Sequence, residues 1–389
     1  MKILVLGMGL MGPTIAKDCV EANGVIKVTG CDLDREKLDE ALVYVNHPNF
    51  DVEELSVLDH KKLVQKMKNY DLIIHGTAAR FSLNALKAAM EAKVNIVDLA
   101  GGGYPQEGEL YEKVKESGIT AIPGCGVDPG LIDILSGQAI NNMDQAESVM
   151  FACGGLPKDP EPPLDYKIVF GGTRMPVRPG KVPMIEEGEL VEMERYSEVE
   201  PIYVDGLDPM EAFTDGYPSS LLNLCIDKGV NSFRGKTIRY SGFVSKLMFL
   251  KDLGLIDEEP VEVEGVKVVP RDLFHKVIYP IVKFDPIEGD RDLTVLLVRV
   301  EGIKGGNDIV IEYDMVDFYD EVKNITSMAK TTGYTAAIIA RMLGEELIKE
   351  KGIKWPVRVI QGKLVDRLLG DLRKRGVEVT ETVTITREV

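Results

Sequence analysis

The apolar run Ile3-Leu4-Val5-Leu6 leads straight into Gly7-Met8-Gly9-Leu10-Met11-Gly12, and residues 12–21 that follow read as a helix. A second apolar run ends at Asp32, twenty residues beyond Gly12. Glycines at this spacing also occur by chance in tight turns. Strand, glycine loop, helix, strand and acid in this order constrain the chain much further, to a βαβ unit that binds a dinucleotide. Gly7 permits the tight turn, Gly9 lets the backbone approach a pyrophosphate, and Gly12 lets the helix pack near the strand. The pyrophosphate belongs at the helix N-terminus, where unpaired N–H groups and the helix dipole favour anions. Asp32 accepts hydrogen bonds from the adenosine ribose and repels a 2′-phosphate, which favours NAD. Arg35, just past that strand, leaves NADP open.

The same alternation continues over residues 1–140. Strands are expected at 3–7, 25–32, 71–76, 95–99 and 120–123, and helices at 12–21, 35–43, 59–68, 82–92 and 105–117. The strand runs lack polar alternation, as in a parallel sheet covered on both faces. At strand carboxyl ends, Val57-Leu58 is expected beside the adenine and Gly76-Thr77-Ala78 beside the ribose and phosphates. From about residue 147 the chain turns β-rich. Runs 293–300 and 308–313 read as antiparallel strands joined through Gly302 to Gly306. Residues 335–349 form a helix with small apolar residues inside, suited to close packing against the first domain. The expected architecture is α/β: a Rossmann domain over 1–140, completed by about 325–350, with an inserted α+β mixed-sheet domain over 141–324 for substrate and dimerisation. Residues 351–389 read as a C-terminal extension.

Composition excludes several classes. A net charge of −17, with no dense Lys/Arg stretch, opposes nucleic-acid binding, which needs a basic face. Five cysteines without a CxxC pair argue against a zinc site or a disulfide framework and fit a reducing compartment. No clustered His/Cys/carboxylate set points to a metal. Met1-Lys2 runs directly into the first strand, and no 18-residue apolar span is present, so a cytoplasmic protein without membrane association is expected.

Three further stretches carry a resemblance: Gly124-Cys125-Gly126-Val127-Asp128-Pro129-Gly130, Gly154-Gly155-Leu156-Pro157 and Phe233-Arg234-Gly235-Lys236-Thr237-Ile238-Arg239-Tyr240. With the glycine loop, they make the chain resemble the saccharopine dehydrogenase and lysine 6-dehydrogenase family over nearly its whole length. Residues 211–216 and 328–339 look more like the lysine enzymes. Gly103-Tyr104, Asp128-Pro129-Gly130 and the stretch Arg234 to Arg239 look more like the glutamate-forming saccharopine enzymes. The chain has Pro218-Ser219 where the saccharopine enzymes typically carry Asn-Arg, and Asp128-Pro129-Gly130 where the lysine enzymes typically have Ala-Pro-Gly.

Both resemblances imply a homodimer and the same chemistry, in which hydride passes from an amine-bearing carbon to nicotinamide and leaves an imine. L-lysine is the first expected substrate, and saccharopine or a carboxyalkyl-polyamine the alternative. A proton acceptor and a fixed cation for a carboxylate are needed. Arg234 is the expected carboxylate clamp, because a guanidinium donates two parallel hydrogen bonds; a surface arginine is the plain alternative. Tyr104 is either a proton relay or a wall of the crevice. Asp128 is an ammonium binder or a helix cap, and Asp215 an ammonium binder or a turn former. Cys125 and His75 either approach the cofactor or are simply buried structural residues, the reading favoured for both. A non-catalytic NAD(H) sensor is the alternative of another class.

Overall fold

A computed structural model describes residues 1–216 and 219–387 of the chain, so Pro218 lies outside the described residues while Ser219 opens a helix. The chain divides into two compact units. One comprises Met1–Asn142, Met328–Val379 and residues 219–224; the other comprises residues 143–216, Cys225–Ser327 and 380–387.

The first unit is built on a parallel sheet. Its strands are β1 (Lys2–Leu6), β2 (Lys27–Asp32), β3 (Phe50–Glu54), β4 (Leu72–His75), β5 (Asn95–Asp98) and β6 (Thr120–Pro123). The helices between and after them are α1 (Gly12–Val20), α2 (Arg35–Val45), α3 (His60–Met67), α4 (Ser82–Ala92), α5 (Glu109–Glu116) and α6 (Leu131–Asn141). The spatial order is Gly352–Ile353, β6, β5, β4, β1, β2, β3. The chain thus winds outward in both directions from β1, and the order reverses between β1 and β4. A crevice at the carboxyl ends of these two strands is where such sheets hold ligands.

Ile3–Leu6 and Leu72–His75 are buried, as expected of strands covered on both faces. The strand β3 escapes the apolar-run criterion because it is an edge strand whose Asp51, Glu53 and Glu54 face solvent. The helix Ser327–Gly344 starts eight residues earlier than its sequence suggests. Thr331, Thr332 and Gly333 are poor helix formers, but tertiary packing overrides propensity. A β-carbon on Gly333 would lie 3.3 Å from Ile15 Cγ1 of α1, so this returning helix packs closely on the helix that follows the glycine loop.

The second unit is a mixed sheet. It contains β7 (Gln145–Pro157), β8 (Lys181–Glu186), β9 (Glu189–Glu194), β10 (Glu200–Ile202), β11 (Met210–Thr214) and β12 (Ser232–Tyr240). A separate hairpin, β13 (Val261–Val263) and β14 (Val266–Val268), precedes the long pair β15 (Asp292–Lys304) and β16 (Asn307–Phe318). The order is β10-β11-β12-β7-β15-β16 followed by the strand Thr380–Thr386, with β8 and β9 attached to β12. Only β12 and β7 run parallel among these described pairs. The β15–β16 connection is tighter than the expected five-residue loop. Gly305 and Gly306 alone form the turn, both at positive φ as a two-residue hairpin needs. Gly302 instead sits at a register shift, where a β-carbon would lie 2.1 Å from the Gln145 carbonyl oxygen.

Among the described residues, no helix is long and apolar enough to cross a membrane. All five cysteines are buried and none forms a disulfide.

Candidate nucleotide and substrate sites

The loop after β1 is shaped by its three glycines in three different ways. Gly7 has φ +97° and donates its N–H to the Cys31 carbonyl at 2.7 Å, tying the turn to β2. A β-carbon on Gly12 would lie 2.0 Å from the Gly7 carbonyl oxygen, so no other residue lets α1 start there. A β-carbon on Gly9 would meet nothing within 4 Å. The face above Gly9 is therefore open protein surface beside the start of α1, which no side chain caps. Met8 is buried beneath the loop, while Gly9 and Leu10 are partly exposed. This is the shape required for a pyrophosphate to approach backbone N–H groups.

Asp32 ends β2 and braces the same loop. Its Oδ2 accepts from the Met8 N–H at 2.8 Å, and its Oδ1 accepts from the Leu33 and Asp34 N–H groups at 2.7 and 3.1 Å. Oδ2, with one acceptance, has lone-pair capacity left for a ribose hydroxyl. The Arg35 guanidinium is held by Asp39 one turn along α2. The segment after β3 joins this corner, with the Leu55 N–H donating to the Asp32 carbonyl at 3.0 Å. Val57 is half-buried and Leu58 largely exposed, an apolar surface of the kind an adenine ring covers.

Gly76-Thr77-Ala78 lies directly across from Gly7. A β-carbon on Gly7 would come within 2.8 Å of the Gly76 carbonyl oxygen and 2.9 Å of Thr77 Cγ2. Beneath this segment, His75 Nδ1 and Asp98 Oδ2 are 2.9 Å apart, and His75 Nε2 lies 2.5 Å from Thr77 Oγ1. His75 and Asp98 are fully buried register partners on β4 and β5. Asp98 Oδ1 accepts from the Ala100 and Gly101 N–H groups. Burial raises the Asp98 carboxyl, but the hydrogen bonds it accepts, that from His75 foremost, outweigh it and hold the group below its usual range.

Tyr104 follows Gly101-Gly102-Gly103 and is buried in the apolar layer that includes Ala85, Leu86 and Val114. Its hydroxyl makes no hydrogen bond. Burial, and then the charge of Asp98, push the phenol well above its ordinary value of 10, so it stays protonated. Cys125 is buried and its thiol donates to the Ile122 carbonyl; burial raises it well above the ordinary thiol range. Asp128 is exposed at the tip of the Gly126–Gly130 turn and is joined to Pro129 by a cis peptide bond. The helix cap of α6 is Gly130, not Asp128, and the carboxylate that receives the Gly130 N–H is that of Asp133 at 2.9 Å. Burial, with the Asp128 charge second, raises the Asp133 carboxyl well above its usual range.

In the second unit, Asp215 follows β11 and is already paired. Its Oδ1 accepts from Arg195, its Oδ2 accepts from Thr237 Oγ1 at 3.0 Å, and Arg178 Nη1 is 3.8 Å away. Two guanidinium groups around one carboxylate leave a net positive charge. Arg234 on β12 is likewise engaged: Nε donates to Glu198 at 3.1 Å, Nη1 to the Ile185 carbonyl at 2.6 Å, and Nη2 lies 3.3 Å from Glu186. Asp98, Asp133, Arg178 and Arg195 escape sequence reading because each takes its meaning from a neighbour brought up by the fold. The one available signal was Asp98 at the carboxyl end of an apolar strand.

A reversing parallel sheet, the open glycine cradle and Asp32 at the end of the second strand define a nicotinamide-dinucleotide-binding Rossmann protein. Two family profiles cover the chain: "Saccharopine dehydrogenase NADP binding domain" over residues 3–122 and "Saccharopine dehydrogenase C-terminal domain" over residues 126–377. The chain belongs to the saccharopine dehydrogenase family. The mitochondrial alpha-aminoadipic semialdehyde synthase of Bos taurus is 24% identical across 99% of this chain and 48% of its own length. The saccharopine dehydrogenase (NADP(+), L-glutamate-forming) of Saccharomyces cerevisiae is 26% identical across 67% of this chain and 60% of its own length. The chain thus spans about half the length of the curated relatives it matches. The apo, histidine-tagged saccharopine dehydrogenase (L-Glu forming) of S. cerevisiae shares the fold, with a TM-score of 0.79 over 98% of this chain and 99% of that one at 18% identity. These relatives are named for saccharopine and aminoadipic semialdehyde, not for the lysine 6-dehydrogenase that the sequence motifs put first.

Proposed function

We propose that this chain is an oxidoreductase that takes hydride from an amine-bearing carbon of an amino-acid substrate, with saccharopine ahead of L-lysine. The observation that carries the reading is the Gly7–Gly12 cradle braced by Asp32, joined to family membership over both units. When bound, a nicotinamide accepts the hydride, while the substrate nitrogen loses a proton and the resulting imine takes up water to give an aldehyde and an amine. The first α1 N–H groups hold the pyrophosphate, and Asp32 holds the adenosine ribose, favouring NAD over NADP. Leu58 covers the adenine.

For the substrate, the excess positive charge around Asp215 suits a carboxylate better than an ammonium group, so Arg178 and Arg195 join Arg234 as candidate clamps. Asp128, exposed and ionisable beside the nucleotide domain's last strand, is the candidate ammonium or proton acceptor. Tyr104 acts as a neutral donor or a wall rather than a base. Buried unbridged cysteines favour a reducing, cytoplasmic setting, and a homodimer remains the assembly we infer.

The test is absorbance of reduced nicotinamide with purified protein, NAD or NADP, and separately saccharopine, L-lysine and other amino acids and polyamines. Turnover with saccharopine supports the reading. Turnover with lysine alone restores the lysine assignment, which the stretch 211–216 favours. Nucleotide binding without turnover across the panel replaces the enzyme by a sensor.

A further inference from the structure

The sequence reading gives His75 no function beyond packing, yet the fold places it at the centre of a directional chain. Asp98 is ionised and so can only accept; the proton in its contact with His75 must sit on Nδ1. In a neutral ring, Nε2 is then bare, and the only hydrogen available at the Thr77 contact is the threonine's own. The Thr77 side chain is held in this orientation because its methyl group lies against Gly7 while its hydroxyl meets the ring. Its remaining lone pair lies on a partly buried residue of the loop across from the glycine cradle.

We propose that Asp98 and His75 are positioning residues that fix Thr77 as a pure hydrogen-bond acceptor, selecting a hydroxyl or amide donor of the nicotinamide riboside and excluding a phosphate from this corner. The proposal rests on the dinucleotide reading above and adds polarity to it. Phosphate oxygens carry no donor at neutral pH, whereas ribose hydroxyls and the carboxamide do. The device also makes Asp98 a switch. Its Oδ1 is committed to the Ala100 and Gly101 N–H groups, so in Asp98→Asn the amide oxygen must stay there and the NH2 must face Nδ1. The ring proton then moves to Nε2, which donates to Thr77 and turns the threonine proton outward.

Two measurements test this. Nitrogen-15 NMR of the imidazoles at pH 8, assigned with His75→Gln, is expected to show His75 protonated at Nδ1 alone in the wild type and at Nε2 in Asp98→Asn. Dissociation constants for the intact dinucleotide and for ADP are measured in parallel. Thr77→Val is expected to weaken the dinucleotide about three- to tenfold, as loss of one neutral hydrogen bond does, with ADP unchanged and with Thr77→Ser restoring affinity. Asp98→Asn is expected to behave like Thr77→Val; should it fail to fold, the wild-type spectrum and the Thr77 series carry the test. A wild-type ring protonated at Nε2, or at both nitrogens, overturns the proposal. So does Thr77→Val that leaves the dinucleotide unaffected or weakens ADP equally. Wild-type protein that binds neither ligand overturns the nucleotide reading itself.

Discussion

Gly12 packs so closely on Gly7 that a β-carbon at position 12 would lie 2.0 Å from the Gly7 carbonyl oxygen, while three residues earlier in the same loop Gly9 faces open space. One glycine is required by the protein and the other by its ligand.

Gly12→Ala is therefore expected to destabilise the fold by about 1–3 kcal/mol, because backbone must shift to admit the methyl group. Gly9→Ala is expected to leave the urea midpoint within error yet weaken dinucleotide binding on the order of tenfold or more. Denaturation and cofactor titration on the two variants separate the roles; equal effects on both quantities would refute the division.

Asp18 on α1 joins Arg341 of the returning helix and Arg375 near the end of the first unit, and both Asp18 and Arg341 are more than nine-tenths buried. Removing the shared carboxylate strips the buried Arg341 of its ion partner, while Arg375 keeps the Asp371 carbonyl. Asp18→Ala should cost about 3–5 kcal/mol in equilibrium unfolding. A loss below about 1 kcal/mol would show that packing at Gly333, not this ion cluster, fastens the discontinuous domain.

Asp133 contributes a pH dependence of defined sign. Its folded-state pKa is raised, first by burial and then by Asp128, so the native state holds a proton that the unfolded chain has released. Stability from this group is full below the ordinary carboxylate range and falls as pH rises towards the folded value. Asp133→Asn keeps an oxygen for the Gly130 N–H without this penalty. Its melting temperature is expected to exceed the wild type's at pH 8 and to converge with it near pH 4; a difference that grows on acidification would contradict the assignment.

Arg234→Ala is expected to raise KM for the amino-acid substrate about tenfold or more, the loss of a charged hydrogen bond, with dinucleotide affinity unchanged. If the residue serves only Glu186, Glu198 and the Ile185 carbonyl, thermal stability falls and KM does not. Arg178→Ala is the companion experiment, since Arg178 is half-exposed and its loss leaves Asp215 paired with Arg195.

The nucleotide half was legible in the linear chain because its determinants are local. An apolar strand, glycines at fixed offsets, a helix start and an acid at the next strand end lie within residues 3–32, and hydrophobic periodicity reports each one. The small residues of 335–340 similarly announced close packing. What the chain could not disclose are contacts between side chains far apart in sequence: His75 with Asp98, Asp18 with Arg341, and Asp215 with Arg178 and Arg195. Periodicity says that a residue is buried, not which charge or hydrogen bond it meets there. Sequence alone determined the βαβ scaffold and its cofactor loop; tertiary structure decided the proton direction at Thr77, the engagement of Arg234 and the sign of the charge around Asp215, because those depend on strand register and on distance through space.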